Sequence, residues 1–424
     1  MKKMLSLFVF FITSVVWQQS LLAAPVDVVV AEDVGMSSER LTVLKSRLQQ
    51  ELDNEVTGGI QVLIARHGKV VMHENLGHAS IEDNKPITDE TLFRIYSMTK
   101  PIVGTAMMML YEEGRFSLTD PVAQYIPEFE NLQVYAGVDD EGNMILEDPD
   151  RDPTIQDLMQ HTAGFTYGGF GDTAVDQIYR DKQVPGYDDS LQVLIEKLAD
   201  TPLLYQPGER MVYSVAVDIQ GYLIEKWTGK DLGEFLAERL FNPLGMDQTM
   251  AWVPPDKAGL LANVYTHSEG KRVLFDGPFA ADLFRTTDHF RAPGGFSGGG
   301  QLISTADDYL RFAQMLLNGG ELDGKRYLSS RTVDFMTRDS LEVPLELPYP
   351  GASWGLNFAV YAEPADVPYP VSAGEYFWAG VASTTFWIDP EEDLVVIMLT
   401  QYLPFSDVYF RDLMHRLVHA AIID

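Results

Sequence analysis

The chain has 424 residues, no cysteine and a formal net charge of −31. The lack of cysteine excludes disulfides, thiol catalysis and cysteine-ligated metal sites. A net charge this negative repels nucleic acid and anionic lipid and excludes them as favourable partners. The length allows one large domain or two smaller ones.

The first 24 residues are organised like a secretory signal peptide. A positively charged start is followed by an apolar run at residues 5–16 and by small residues before Pro25. The run is shorter than a membrane span and polar residues follow it, so we expect cleavage, most simply after Ala23. The expected product is a periplasmic or secreted protein with no stable membrane insertion. An uncleaved anchor is the alternative.

The first elements after this segment are a helix and a hairpin. Leucines at helical spacing predict a helix over 37–52. Two runs rich in β-branched residues, 59–66 and 70–75, are separated by a short turn and predict a β-hairpin.

A Ser-x-x-Lys tetrapeptide, Ser97 to Lys100, stands before a long apolar run. Pro101 is tolerated only in the first turn of a helix, so we expect the helix to begin near Ser97. Residues three apart share a helix face, which places the two side chains next to each other. A hydroxyl at a helix N-terminus beside an amine is the start of a nucleophile-and-base pair.

The middle of the chain, from about residue 120 to 299, is predicted to be mostly helix and loop. An acidic stretch at 139–152 predicts a surface loop or a small hairpin. Tyr213 follows a Pro-Gly turn and precedes a helix; its phenol is either an ordinary core group or, beside an ammonium, one that loses its proton far below pH 10. The predicted helices of this region begin at residue 154 and cover 218–227 and 232–240.

Strands return near the end of the chain. Apolar, partly alternating runs predict strands over 354–361, 377–388 and 394–399, after a capped helix at 304–317 and before a closing helix at 407–422. The second strand opens with Trp378 and Gly380, where a residue without a side chain would let a substrate approach the backbone.

Strands near both ends with helices between them predict an α/β (α+β) fold. One antiparallel sheet is built from both termini and flanked by helices, and a mostly helical lobe is inserted. We expect a single domain over 25–424, with a sheet lobe at about 36–119 and 300–424 and a helical lobe at about 120–299.

These pieces together resemble the serine β-lactamase and penicillin-binding-like superfamily, with the closest likeness to family VIII carboxylesterases and class C β-lactamases. The resemblance covers about residues 36–420. Further stretches that carry it are 160–165, 240–246 and 298–308. It implies that Ser97 is acylated, that Lys100 and Tyr213 share the acid and base work, and that the N–H groups of Ser97 and Val381 form an oxyanion hole. Which of Lys100 and Tyr213 accepts the proton stays open.

Two departures from the lactamase pattern concern the substrate. Val215 stands where these lactamases carry Asn, and Trp378 stands where their third motif begins with Lys. The first loss removes an amide that could bind a substrate amide, and the second removes a cation that holds a carboxylate. Both resemble family VIII esterases and point toward a neutral ester.

A Gly-x-Ser-x-Gly pattern surrounds Ser297. As a nucleophile elbow it would need an apolar strand before it and a helix directly after it, and polar residues and further glycines stand there instead. We therefore expect a tightly turned loop near the pocket.

His415 and His419 lie one helical turn apart, the spacing of a zinc-binding pair. We expect no acidic third ligand near them, and so no metal site. No phosphate-binding glycine loop is present, and we expect no cofactor.

The resulting functional expectation is an exported serine hydrolase that cleaves small carboxylic esters through an acyl-enzyme on Ser97. A β-lactamase or a D-amino-acid peptidase with the same residues is the first alternative, so the partner is a small-molecule ester or lactam. A non-catalytic penicillin-binding-like module is the second alternative.

Overall fold

The computed structural model describes residues 27–186, 189–275, 295–363 and 366–424. The predicted signal peptide lies outside these ranges. No helix within them is long and apolar enough to cross a membrane.

Helices and strands match most of the predicted elements. The strands are β1 (Gly59–Arg66), β2 (Lys69–Ser80), β3 (Lys85–Pro86), β4 (Phe93–Arg94), β5 (Val134–Val138), β6 (Met144–Glu147), β7 (Tyr265–Ser268), β8 (Lys271–Leu274), β9 (Ile303–Ser304), β10 (Glu321–Leu322), β11 (Lys325–Arg326), β12 (Ser353–Trp354), β13 (Ala359–Tyr361), β14 (Glu375–Ala379), β15 (Thr385–Asp389) and β16 (Leu394–Thr400). The α-helices are α1 (Ser38–Asp53), α2 (Thr99–Glu112), α3 (Ile155–Gln160), α4 (Ala174–Asp181), α5 (Leu191–Ala199), α6 (Ala216–Thr228), α7 (Leu232–Leu236), α8 (Asn242–Leu244), α9 (Ala306–Leu317), α10 (Ser330–Met336) and α11 (Asp407–Ala421).

The main sheet joins strands from both ends of the chain. Its order in the described residues is β12-β13-β14-β15-β16-β1-β2-β3, and the pairs from β12 to β3 are antiparallel. At its centre β1 pairs with β16, with Ile60 opposite Thr400 and Leu63 opposite Ile397. Antiparallel pairing of the first and last strands confirms the predicted sheet.

Every residue of β1 and β16 is buried, so both faces of the sheet centre are covered. Helices α1 and α11 pack against each other and α1 contacts β2, whereas α9 contacts β1 and β16. Helix α1 begins where the Ser37 side chain accepts a hydrogen bond from the Arg40 N–H.

Between α2 and β9 the chain forms the helical part of the molecule. It contains α3 to α8 and the small hairpins β5–β6 and β7–β8, and α7 continues as a π-helical turn at Ala237–Phe241. Helix α2 packs directly on α6. The contact matters because Ser97 lies just before α2 and Tyr213 just before α6.

Two predicted strands are wrong as single strands. The run 354–361 is divided between β12 and β13, and the run 377–388 is divided between β14 and β15. The chain reverses at Asn357 and Ser383, whose φ values of +64° and +65° lie in the left-handed region. Asn357 is a turn-forming residue, but a single Asn or Ser within an apolar run is outweighed by its neighbours, so the sequence pattern predicts a continuous strand.

Candidate active site

Ser97 lies in a short 3-10 turn, Tyr96–Met98, that leads into α2. Tyr96 has a φ of +44°, a conformation that costs a residue with a side chain roughly 1–3 kcal/mol. Ser97 is half-buried while Tyr96 and Met98 are buried. The strained turn therefore leaves the hydroxyl partly accessible at the N-terminus of a helix, where developing negative charge is favoured.

Lys100 is fully buried and its ammonium nitrogen contacts three oxygens. Nζ lies 3.2 Å from Ser97 Oγ, 3.1 Å from the Tyr167 hydroxyl and 2.6 Å from the Gly299 carbonyl oxygen. Burial lowers the pKa of Lys100 to about 7, against the opposing effect of the Asp218 carboxylate. A large fraction of Lys100 is therefore a neutral amine at physiological pH.

The three contacts match the hydrogen-bonding capacity of that amine. A neutral amine has two N–H donors and one lone pair. The Gly299 carbonyl can only accept, and the Tyr167 oxygen can accept the second N–H. The lone pair is left for the Ser97 hydroxyl, so the arrangement allows Lys100 to take the Ser97 proton.

Tyr213 packs over Lys100, with Nζ 4.6 Å from the centre of its ring. Its hydroxyl accepts a hydrogen bond of 3.2 Å from the Trp378 indole N–H. Burial raises the pKa of Tyr213, more than its interactions with Ser97 and Trp378 lower it. Of the two readings of Tyr213 that the sequence left open, burial favours the protonated phenol, so Tyr213 is a proton donor near neutral pH.

Strand β14 packs against the turn that carries Ser97 and brings Trp378 to the site. Gly380 follows the strand, and its N–H donates to the Thr384 carbonyl at 2.8 Å. A Cβ at this position would clash with the Thr384 side chain and lie 2.5 Å from the Ile95 carbonyl oxygen.

Gly380 is thus required by close backbone packing, and the approach of a substrate to its backbone stays a prediction. The next residue, half-buried Val381, follows this tight contact. Its N–H remains a predicted oxyanion donor together with that of Ser97.

Three polar residues near Lys100 were missed as a group. Asp218 is fully buried in the first turn of α6, and its Oδ1 accepts from Ser297 Oγ at 2.6 Å and from the Gly299 N–H at 3.2 Å. Burial raises the pKa of Asp218, and Ser297 and Lys100 act in the opposite direction. Tyr167 is the third, and its own pKa is raised by burial.

The sequence held weak signals for each of them. Asp218 is an acid in the otherwise apolar start of α6, and Tyr167 lies two residues after the 160–165 stretch that supported the family resemblance. Ser297 belongs to the Gly-x-Ser-x-Gly pattern. The structure places that loop beside the pocket, where a Cβ at Gly299 would lie 2.5 Å from the Tyr167 hydroxyl. The Ser297 hydroxyl donates a hydrogen bond to Asp218, which also accepts one from the Gly299 N–H. The Gly299 carbonyl oxygen in turn contacts the Lys100 amine.

Aromatic rings line the remainder of the site. The His161 ring lies 4.8 Å from that of Tyr213 and its Nδ1 is 3.2 Å from Ser214 Oγ. Burial and the nearby Lys100 lower the pKa of His161 well below its ordinary value, so this ring braces Tyr213 as a neutral group. Phe170 is 66% exposed and its ring lies 6.1 Å from that of Tyr213 in a tilted arrangement at the rim. Further rings in contact with this group are Tyr167, Tyr349, Trp354 and Trp378.

Comparisons with known proteins agree with this architecture. The family model described as Beta-lactamase matches residues 44–421. Esterase EstB of Burkholderia gladioli is 30% identical over 357 residues, which cover 81% of this chain and 85% of that protein. A protein of Escherichia coli O157:H7 named as a D-alanyl-D-alanine carboxypeptidase is 27% identical over 404 residues, 89% of this chain and 86% of that protein.

Among solved structures, EstCE1 is described as a hydrolase with promiscuous acyltransferase activity. It superposes with a TM-score of 0.76 at 25% identity and covers 90% of this chain and 98% of its own. The predicted superfamily and the predicted fold are both confirmed by these similarities.

The Asp218 carboxylate favours the charged form of Lys100, so its removal should lower the pKa of Lys100 further. We expect Asp218→Asn to move the acid limb of the pH profile of kcat/KM to lower pH, by on the order of one unit. Asp172→Asn is the matched control, because the Asp172 side chain is 97% exposed. An acid limb that stays in place or moves to higher pH in Asp218→Asn contradicts this assignment.

Proposed function

Because this chain belongs to the Beta-lactamase family of serine hydrolases, we propose that it cleaves small neutral carboxylic esters through an acyl-enzyme on Ser97. The observation that carries the proposal is the buried Lys100 amine, 3.2 Å from Ser97 Oγ and with a pKa of about 7. A base of this pKa is well matched to proton transfer at neutral pH.

In acylation, the neutral Lys100 amine takes the Ser97 proton while Oγ attacks the ester carbonyl carbon. The carbonyl oxygen becomes an oxyanion that the N–H groups of Ser97 and Val381 stabilise. When the intermediate collapses, the C–O bond to the alcohol breaks and the leaving oxygen receives a proton. We assign this donation to the Tyr213 phenol, which interacts with the Ser97 side chain, and the proton that it loses is replaced from the Lys100 ammonium.

In deacylation, a water molecule attacks the acyl carbon and gives its proton to Lys100. The bond to Ser97 Oγ breaks, the carboxylic acid leaves, and the proton returns to Oγ. Lys100 thus acts as a base in both half-reactions, and the Tyr167 and Gly299 contacts hold the amine in one place throughout.

The preference for a neutral ester rests on what the chain offers to a substrate. Trp378 presents no cation, and its indole N–H is already engaged by Tyr213. Val215 is buried and has no polar side-chain atom. The aromatic rim and the net charge of −31 are unfavourable for an anionic ligand. The 30% identity to an esterase supports the same choice.

A peptidase is the second candidate, favoured by the similarity to the protein named as a D-alanyl-D-alanine carboxypeptidase. It would use the same serine, amine and phenol on an amide. Substrate comparison separates the two candidates, whereas substitution of Ser97 does not.

We infer from residues 1–24 that the protein is exported and that cleavage occurs after Ala23. Expression of the full chain with and without residues 1–24 tests this, with fractionation and mass measurement of the product. The expected result is a periplasmic or secreted product that begins at Ala24; an intact N-terminus on an active product contradicts the inference.

Ser97→Ala should abolish the burst phase and lower kcat/KM on p-nitrophenyl esters by at least about 10³-fold, because it removes the nucleophile. Ser268→Ala, at an exposed position in β7, is the control for folding. Full activity in Ser97→Ala contradicts the assignment of the nucleophile.

On a panel of short-chain esters, a chromogenic cephalosporin and a D-Ala-D-Ala peptide, we expect kcat/KM to be higher for the esters by at least about 100-fold. A D-Ala-D-Ala peptide that is the best substrate contradicts the preference for esters.

The pKa of Lys100 also predicts the pH dependence of the reaction. The amine acts as a base only when it is neutral, so kcat/KM should rise with pH, with the midpoint of the rise at a pH of about 7. Initial rates on a neutral ester, whose charge does not change with pH, measure this directly. A profile that is flat from pH 5 to 8 excludes Lys100 as the titrating base.

A further inference from the structure

A second group of titratable residues lies at the other end of β14. Glu375 is the first residue of β14 and Asp389 is the last residue of β15. His415 and His419 lie one turn apart on α11. The side chains of Glu375, Asp389 and His415 are 0% exposed, and that of His419 is 11% exposed. We call these four residues the carboxylate–histidine cluster.

The cluster corrects an expectation from the sequence, which predicts no acidic ligand near His415 and His419. The structure supplies Glu375 and Asp389 from two strands that lie 26 or more positions earlier in the chain. One ligand-type atom from each of Glu375, Asp389 and His419 lies within 4.8 Å of the other two.

Backbone contacts fix the orientation of both imidazole rings. His415 Nδ1 lies 2.9 Å from the Arg411 carbonyl oxygen, and His419 Nδ1 lies 3.0 Å from the His415 carbonyl oxygen. A carbonyl cannot donate, so each Nδ1 carries a proton, and a neutral ring of this tautomer presents the lone pair of its Nε2 as a ligand. Metal-binding histidines are commonly held in this way.

These lone pairs face carboxylate oxygens. His415 Nε2 lies 2.8 Å from Glu375 Oε1, and His419 Nε2 lies 3.6 Å from Asp389 Oδ2. Glu375 Oε2 and His419 Nε2 are buried and have no hydrogen-bond partner within the described ranges. Acceptors that face one another need either protons or a shared cation between them.

The positions of the carboxylates are set by other groups. Asp389 Oδ1 accepts from the N–H groups of Glu391 and Glu392, and its Oδ2 accepts from Ser372 Oγ at 2.6 Å. The Arg411 guanidinium also acts electrostatically on Glu375. Both carboxylates are therefore held in fixed positions beside the histidines.

We propose that the cluster is a structural site for a divalent transition-metal ion, with Glu375, Asp389 and His419 as ligands and His415 as the fourth group. Carboxylate oxygens and imidazole nitrogens suit Zn²⁺, which they bind at about 2.0–2.2 Å. Neighbouring ligands of a tetrahedral Zn²⁺ ion are roughly 3.3–3.6 Å apart, so the ligand atoms found within 4.8 Å of one another would draw together on binding. The ion would join β14, β15 and α11, and it is independent of ester hydrolysis.

The test is metal binding by the folded wild-type chain. After dialysis against a chelator, titration with Zn²⁺ in excess Mg²⁺ should give about one tight site per chain, and Zn²⁺ should raise the Tm. Excess Mg²⁺ suppresses weak binding to the acidic surface. Co²⁺ should show visible absorption bands of a site with nitrogen and oxygen ligands.

Glu375→Gln and His419→Gln should weaken Zn²⁺ binding by at least about 10-fold and remove the Tm increase. The amide introduced by Glu375→Gln can still donate to His415 Nε2, so circular dichroism should match wild type. His67→Asn is the matched control, because His67 also pairs with a carboxylate, that of Asp393, but on the surface. This control should bind Zn²⁺ like wild type.

A wild-type chain that takes up no Zn²⁺ overturns the proposal and means that protons occupy the cluster. Loss of binding in His67→Asn with binding kept in Glu375→Gln overturns it as well. If both cluster variants unfold, anomalous scattering from Zn²⁺-soaked wild-type crystals decides: a peak between Glu375 and His419 supports the site, and a peak only elsewhere overturns it.

Discussion

The burial of one ammonium group, that of Lys100, is the constraint around which this site is built. Removing a full charge from water costs several kcal/mol, and a buried lysine responds by releasing its proton near neutral pH. Contacts with Gly299 and Tyr167 keep the nitrogen in place, and the Asp218 carboxylate favours its charged form without holding it permanently charged. The packing of α2 on α6 keeps bulk water away, so the site depends on the fold for its chemistry as well as its shape.

Local and long-range information contribute differently to this arrangement. The Ser97–Lys100 pair follows from a spacing of three residues and from Pro101 in the first helical turn, so it was predictable without any tertiary structure. Tyr213 and Trp378 were predictable only through their resemblance to a known family, because nothing local distinguishes them from core aromatics. Asp218 acquires its role from contacts with Ser297 and Gly299, which lie some 80 residues away.

The same distinction explains the errors. Strands were merged where the reversals at Asn357 and Ser383 are short and lie within apolar runs. The sequence left the ionisation of Tyr213 open because its burial depends on rings from distant segments. The acidic neighbours of His415 and His419 were missed since pairing of β14 with β15, and docking of α11, bring them together. The overall order of strands and helices was recoverable because hydrophobic periodicity is a local property.

Strand order also has a consequence for how the molecule reaches its native state. The central pair, β1 with β16, joins residues separated by more than 300 positions. Such a contact requires closure of a very long loop, which slows folding. While the polypeptide leaves the ribosome, β1 has no partner on one side until β16 emerges. The sheet therefore completes only once β16 has been made, and any nascent chain ending before residue 394 exposes a long apolar edge prone to association.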